Sequence, residues 1–156
     1  MRPKRLSGKG SVEGRSKDIA VLDTNLLVRY LTEDEPAKAD AVENLLDRAS
    51  RGEVRLVIPS VVMAELVWVL ESFYRMDEPR IAGLLDALLH TPGLEVQDKR
   101  LIREALGTYR ENKVDFIDAW ILAFVRQRSI RRIYSYDKKH FKNITDLEVV
   151  EPPALT

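Results

Sequence analysis

Acidic residues interrupt three apolar segments of this chain. Glu65 is the only charged residue within residues 61–70, Asp23 follows a short apolar run, and Asp118 opens a longer one. Burying a bare carboxylate is very costly, so each acid must be paired, bound to a metal or neutralised. Carboxylates that converge from separate elements are typical of sites for hard divalent cations. The pattern therefore predicts an acidic cluster that binds Mg²⁺ or Mn²⁺.

Two further acids have positions that favour the same site. Asp137 follows the apolar segment 133–136, and Asp115 precedes Asp118 by three residues, so the last two share one face of a helix. In an open parallel sheet, ligands collect beyond the carboxyl ends of the strands. Like charges so close together raise each other's pKa unless a cation compensates them.

Each acid also has a simpler explanation that the sequence leaves open. Asp23 and Asp115 could cap helices through their side chains, and Asp118 could oppose the dipole of its helix. Glu65 could pair with a buried arginine, and Asp137 could be an ordinary turn residue. The placement that all five share favours a common site.

The elements that would position these acids alternate between strand and helix. The apolar run 19–22 predicts a first strand buried on both faces of a sheet. The alternation predicts a three-layer α/β/α sandwich with a central, mostly parallel sheet of four to five strands. Further strands are predicted at 54–58, 94–96, 133–136 and 147–150, and helices at 24–31, 36–50, 60–75, 79–91, 98–112 (capped by Asp98) and 115–128 (capped by Asp115).

Composition is that of an ordinary globular domain. The 156 residues are 45% apolar and 32% charged, and the lack of cysteine excludes disulfides and thiolate zinc sites. Neither a signal peptide nor a membrane-spanning segment is expected, which favours a cytoplasmic protein.

Charge is distributed unevenly along the chain. Residues 1–17 carry a net charge of +5 and are predicted to be a disordered basic arm, whereas 18–156 are predicted to be one domain and carry −5. A domain of that sign does not bind nucleic acid through its net charge. Any such role needs local basic patches or bridging cations.

The acids lie in four short motifs, which are Asp23-Thr24-Asn25, the segment 59–66 around Glu65, Asp115-Phe116-Ile117-Asp118-Ala119 and Ser135-Tyr136-Asp137. Together these motifs resemble those of PIN domains. The resemblance spans about residues 18–151, and the small size is similar to that of VapC-like toxins of toxin–antitoxin pairs. Order, spacing and strand–helix context make the set more specific than any one motif.

The resemblance implies a Mg²⁺- or Mn²⁺-dependent ribonuclease that leaves a 5′-phosphate and a 3′-hydroxyl. Asp115 would be an additional ligand or a water-positioning acid, and either Asp115 or Asp118 could be the closer ligand. The implied acidic quartet is Asp23, Glu65, Asp118 and Asp137, supported by Thr24, Asn25 and Ser135.

Basic residues near the end of the chain are candidates for contacts with RNA phosphates, although a solvated surface would explain them equally. His90 and His140 lack metal-ligand spacing and are interpreted as surface residues. The candidate RNA-binding residues are Arg126, Arg128, Arg131, Arg132, Lys138, Lys139 and Lys142.

The resemblance also implies two protein partners, a second copy of the chain and a cognate antitoxin that inserts into the acidic groove. The apolar stretches 26–31 and 68–74 could line that groove, or could simply belong to the core.

Two other functions remain compatible with the residues, and a third conflicts with one of them. A PIN-type nuclease could process RNA without being a toxin, and an interaction domain could carry a non-catalytic acidic pocket. A phosphatase of the haloacid-dehalogenase type could use Asp23 as nucleophile, but that motif requires an aspartate where this chain has Asn25.

Overall fold

The computed structural model describes residues 18–154, so the predicted basic arm at 1–17 lies outside the described residues. Strands and helices alternate as the sequence predicts, with small shifts at their ends. They are β1 (Asp18–Val21), α1 (Thr24–Thr32), α2 (Pro36–Ser50), β2 (Val54–Ile58), α3 (Ser60–Ser72), α4 (Glu78–Leu89), β3 (Leu94–Val96), α5 (Lys99–Asn112), α6 (Phe116–Gln127), β4 (Arg132–Tyr134) and β5 (Glu148–Val150).

All strand pairs are parallel, as predicted, but the strands are divided between two sheets. The first sheet has the order β1-β2-β3, and the second pairs β4 with β5. Parallel strands joined through helices confirm the α/β class. Because β1 and β2 run in the same direction, the start of α1 and the start of α3 lie at the same edge of the first sheet.

The first strand is more exposed than predicted. Ile19 is 58% exposed and Val21 is 63% exposed, so the expectation that β1 is buried on both faces is wrong. The reason is that β1 forms the outer edge of its sheet: within residues 18–154 it hydrogen-bonds to β2 alone.

One face of α3 supplies a large part of the hydrophobic core. Met63, Leu66 and Leu70 follow the helical repeat and are fully buried in a cluster that also takes in β2 and α4. Glu65 and Trp68 lie on the opposite face and are exposed. The premise that Glu65 is buried within its apolar run is therefore wrong, since that run is buried on one face only.

Two other details of the helices differ from the sequence expectations. Asp98 precedes α5 but adopts a left-handed conformation with φ of 55°, and its side chain makes no capping hydrogen bond. The cap that the sequence did not suggest is Asp77, whose carboxylate accepts a hydrogen bond from the backbone N–H of Arg80 at 3.0 Å at the start of α4. No helix within residues 18–154 has the length and apolar character needed to cross a membrane.

Gly93, in the turn before β3, has no room for a side chain. Its φ is +78°, and a Cβ atom there would lie 2.3 Å from the backbone carbon and oxygen of Ala49. We expect Gly93→Ala to lower the free energy of unfolding by about 2 kcal/mol or more, because backbone strain and a contact with rigid backbone add together. Urea denaturation monitored by circular dichroism would measure the loss.

Gly83 provides the matched control, because it lies within α4 and a Cβ atom there meets nothing within 4 Å. Gly83→Ala should raise the free energy of unfolding by about 0.5–1 kcal/mol, the usual preference of a helix interior for alanine. Equal effects of the two substitutions would contradict the tight packing described for Gly93.

Candidate active site

Asp23 and Glu65 are linked through the first residue of α1. The Oδ1 atom of Asp23 accepts a hydrogen bond from the backbone N–H of Thr24 at 2.8 Å and caps the helix. The Thr24 hydroxyl, in a residue only 6% exposed, donates a short hydrogen bond to Oε2 of Glu65. Asn25 donates from Nδ2 to Oδ2 of Asp23 at 3.3 Å. The start of α1 is thus tied to α3 by the residues of the first predicted motif.

Asp118 and Asp137 form a second pair, bridged by a histidine. Nδ1 of His140 lies 2.8 Å from Oδ2 of Asp118, and Nε2 of the same ring lies 3.3 Å from Oδ2 of Asp137. Ser135 holds this end of the chain, because its Oγ accepts a hydrogen bond from the backbone N–H of Asp137 at 3.0 Å. The third and fourth predicted motifs therefore meet through a residue that belongs to neither.

Burial raises the pKa of the Asp118 carboxyl above its ordinary value. The positive charge of His140 and its hydrogen bond oppose this shift, while the negative charges of Asp115 and Asp137 add to it. The side chain of Asp118 is 16% exposed. The folded protein therefore disfavours the ionised form of the Asp118 carboxyl. A cation bound beside it would stabilise that form.

Asp115 is both a helix cap and a link between clefts. Its Oδ1 atom accepts a hydrogen bond from the backbone N–H of Ile117 at 2.8 Å, so the capping role that the sequence left open is present. The residue also lines one cleft together with Glu65 and another together with Asp118. Asp23 shares a third cleft with Glu65. Clefts that share lining acids therefore connect Asp23, Glu65, Asp115 and Asp118, and together we call them the acidic groove.

The five acids do not form one preassembled cluster. In the part of the chain that the structure describes, no three or more histidine and acidic side chains come close enough to hold a metal ion as they stand. The sequence predicted a single cluster, and the structure instead has two linked pairs with Asp115 between them. All five acids offer carboxylate oxygens, the donors that Mg²⁺ and Mn²⁺ prefer, so the residue types fit a hard divalent cation.

His140 is the site residue that the sequence interpretation missed. It is exposed, as expected of a surface residue, yet its two ring nitrogens contact Asp118 and Asp137. Its position three residues after Asp137 could have suggested a place in the site. However, the contact with Asp118 also depends on a tight turn, which brings the ring back towards α6. Buried Phe141 anchors that turn. Among residues 18–154, the polar partners of the His90 ring are the carboxylate and the backbone carbonyl of Asp86, and the residue is exposed, in agreement with its interpretation.

Most of the candidate RNA-binding residues already have partners. Arg126 makes two hydrogen bonds of 2.9 Å to Asp146, and Arg132 pairs with Glu148 at 2.8 Å. The Arg128 guanidinium lies 3.7 Å from the centre of the Phe124 ring. Lys138 pairs with Glu151 at 3.4 Å. Lys139 and Lys142 differ, because both line the cleft that contains Asp115 and Asp118.

Two comparisons with known proteins found similar sequences. A family model described as "PIN domain" matches residues 20–147, which is most of the chain and includes all five acids. A VapC ribonuclease from Aquifex aeolicus (strain VF5) is 26% identical over 122 residues, covering 78% of this chain and 90% of the relative.

Proposed function

The chain belongs to the PIN-domain family, and from this premise we propose that it is a Mg²⁺- or Mn²⁺-dependent endoribonuclease and the toxin of a toxin–antitoxin pair. The observation that carries the proposal is the pair of clefts that share Asp115, one of them lined also by Glu65 and the other by Asp118. The similarity to a VapC ribonuclease over 78% of the chain supports both the activity and the toxin role.

The roles proposed for the acids follow from their surroundings. Asp23 and Glu65 would bind the cation from the side of α1 and α3, with Thr24 and Asn25 holding both carboxylates in place. When bound, the cation would neutralise charge on the scissile phosphate and lower the pKa of a water molecule. The hydrogen bonds around Asp23 orient its carboxylate in advance, which reduces the cost of assembling the site.

From α6 and the segment after β4, Asp118 and Asp137 would complete the ligand set. Their present partner, His140, holds Asp118 where an ionised carboxylate is otherwise disfavoured by burial. Ser135 would orient Asp137 through the hydrogen bond to its backbone. Asp115, exposed between the two pairs, would serve as a further ligand or position the attacking water.

Metal dependence gives the direct test of this proposal. We expect the purified protein to cleave single-stranded RNA in Mg²⁺ or Mn²⁺, to lose that activity in excess EDTA, and to regain it when Mn²⁺ is restored, because carboxylates alone cannot activate water against a phosphodiester. The readout is the cleavage rate of a labelled RNA together with the product ends, which should be 5′-phosphate and 3′-hydroxyl. Unchanged cleavage in EDTA would rule out the proposed chemistry.

The toxin role carries proposals about partners and location. The protein would act in the cytoplasm as a homodimer and would be inhibited by a cognate antitoxin whose segment enters the acidic groove. The exposed aromatic residues Trp68 and Phe73 lie on the rims of clefts that contain Glu65, and so offer apolar contacts to such a segment.

A further inference from the structure

The turn formed by residues 138–143 places two lysines beside the acidic groove. Phe141 is 6% exposed and anchors the turn to the body of the protein. On either side of it, Lys139 and Lys142 line the same cleft as Asp115 and Asp118. The anchor holds the backbone on both sides in place, so these lysines stay next to the acids.

These two lysines are available to bind an anion from outside the protein. His140, not a lysine, contacts the Asp118 carboxylate. Among residues 18–154, neither lysine has a carboxylate within ion-pair distance, whereas their neighbour Lys138 pairs with Glu151. Two of the arginines nearby, Arg126 and Arg132, likewise pair with acids. Of the basic residues at this end of the chain, Lys139 and Lys142 thus combine a place in the cleft with uncompensated charge.

RNA binding by this domain requires such local cations. Residues 18–156 carry a net charge of −5, and the groove itself is acidic, so the RNA backbone is repelled unless positive charge lies close by. We propose that Lys139 and Lys142 bind backbone phosphates of the RNA next to the phosphodiester that is cleaved beside Asp118. This inference rests on the proposed ribonuclease function and adds the residues that hold the substrate.

Exchange of both lysines for glutamine tests the inference in the active, full-length protein. For Lys139→Gln/Lys142→Gln we expect KM to rise by about 10-fold at 0.1 M salt, with kcat retained, because the lysines hold RNA rather than act on the reacting atoms. A plot of log kcat/KM against log salt concentration has a negative slope, and its magnitude should decrease by about 1.4. Each phosphate contact to a single strand contributes about 0.7 to that magnitude, and the variant loses two contacts.

A matched control changes the net charge equally. Arg51→Gln/Arg55→Gln removes two positive charges that already have acidic partners, Glu53 and Glu95, and that are not candidates for RNA binding, so the salt slope should stay at the wild-type value. The proposed phosphate site is wrong if the lysine variant has the wild-type salt slope, or if the control variant shows as large a change in slope as the lysine variant. Neither result would contradict the proposed ribonuclease function. If the wild-type protein cleaves no RNA at all, the proposed function fails and the site fails with it.

Discussion

Asp23→Asn is expected to reduce the rate of RNA cleavage in Mg²⁺ by at least about 100-fold, since replacing even the outer-shell partners of metal ligands costs about 10–100-fold. The substitution removes the negative charge of the carboxylate that lies beyond β1 and keeps its shape. An asparagine Oδ1 can still accept the hydrogen bond from the backbone N–H of Thr24, so the cap of α1 remains. Activity should be lost while the melting temperature stays close to that of the wild-type protein.

The measurement is the cleavage rate of a labelled single-stranded RNA, combined with growth of cells that express the chain. The wild-type protein should arrest growth and Asp23→Asn should not. Asp77→Asn is the matched control, because Asp77 also caps a helix through its side chain but lies outside the acidic groove. Full activity of Asp23→Asn, or equal losses in both variants, would count against a catalytic role for Asp23. Glu65→Gln is expected to behave as Asp23→Asn does in the cleavage assay.

Asp118→Asn should abolish cleavage and, in the absence of metal, raise the melting temperature. Burial raises the pKa of Asp118, so its ionised form destabilises the folded state, and asparagine fills the same space without the charge. The lost contact with His140 opposes the gain but is the weaker effect, because the net direction of the shift is upward. A rise of about 2–4 °C at neutral pH corresponds to about 1 kcal/mol in a chain of this size.

The dependence on pH follows from the same shift. For an acid whose pKa is raised in the folded state, stability is fully present below the unfolded pKa and is lost as pH rises through the folded pKa. The advantage of Asp118→Asn should therefore be greatest at neutral pH and shrink under acidic conditions. Calorimetry of both proteins in EDTA, from neutral to acidic pH, measures this difference in stability.

Asp146→Asn is a control that should change the melting temperature in the opposite direction. The paired guanidinium of Arg126 lowers the pKa of Asp146, so Asp146→Asn should lower the melting temperature at neutral pH.

Adding Mn²⁺ should stabilise the wild-type protein and not Asp118→Asn, since only the former keeps the full proposed ligand set. An Asp118→Asn protein that is no more stable than the wild type in EDTA would show that burial does not penalise this carboxylate.

Local sequence patterns were sufficient for the order of the elements. Apolar runs bounded by turn residues marked the strands, and the helical repeat marked the helices, because each pattern depends on residues that are close in sequence. The same locality explains the caps at Asp23 and Asp115, where the side chain bonds to backbone one or two residues away. Such contacts form wherever the surrounding fold allows the helix to start.

Contacts between distant parts of the chain were beyond the reach of those patterns. The segment 61–70 has no polar stripe that would mark which side of α3 faces outward, so the exposure of Glu65 and Trp68 could not be read from it. The edge position of β1 depends on which strands pair, and the bridge from His140 to Asp118 depends on a turn returning to α6.

Residue types and their local spacing thus determined the α/β class, the five acids and the family resemblance, since these properties are carried by short segments. Only the tertiary structure decided that four of the acids form two separate pairs and that His140 bridges one of them. It also decided that, within residues 18–154, Lys139 and Lys142 have no acidic partner. The physical reason is that burial, pairing and charge compensation arise from side chains that lie far apart in sequence and meet only once the chain has folded.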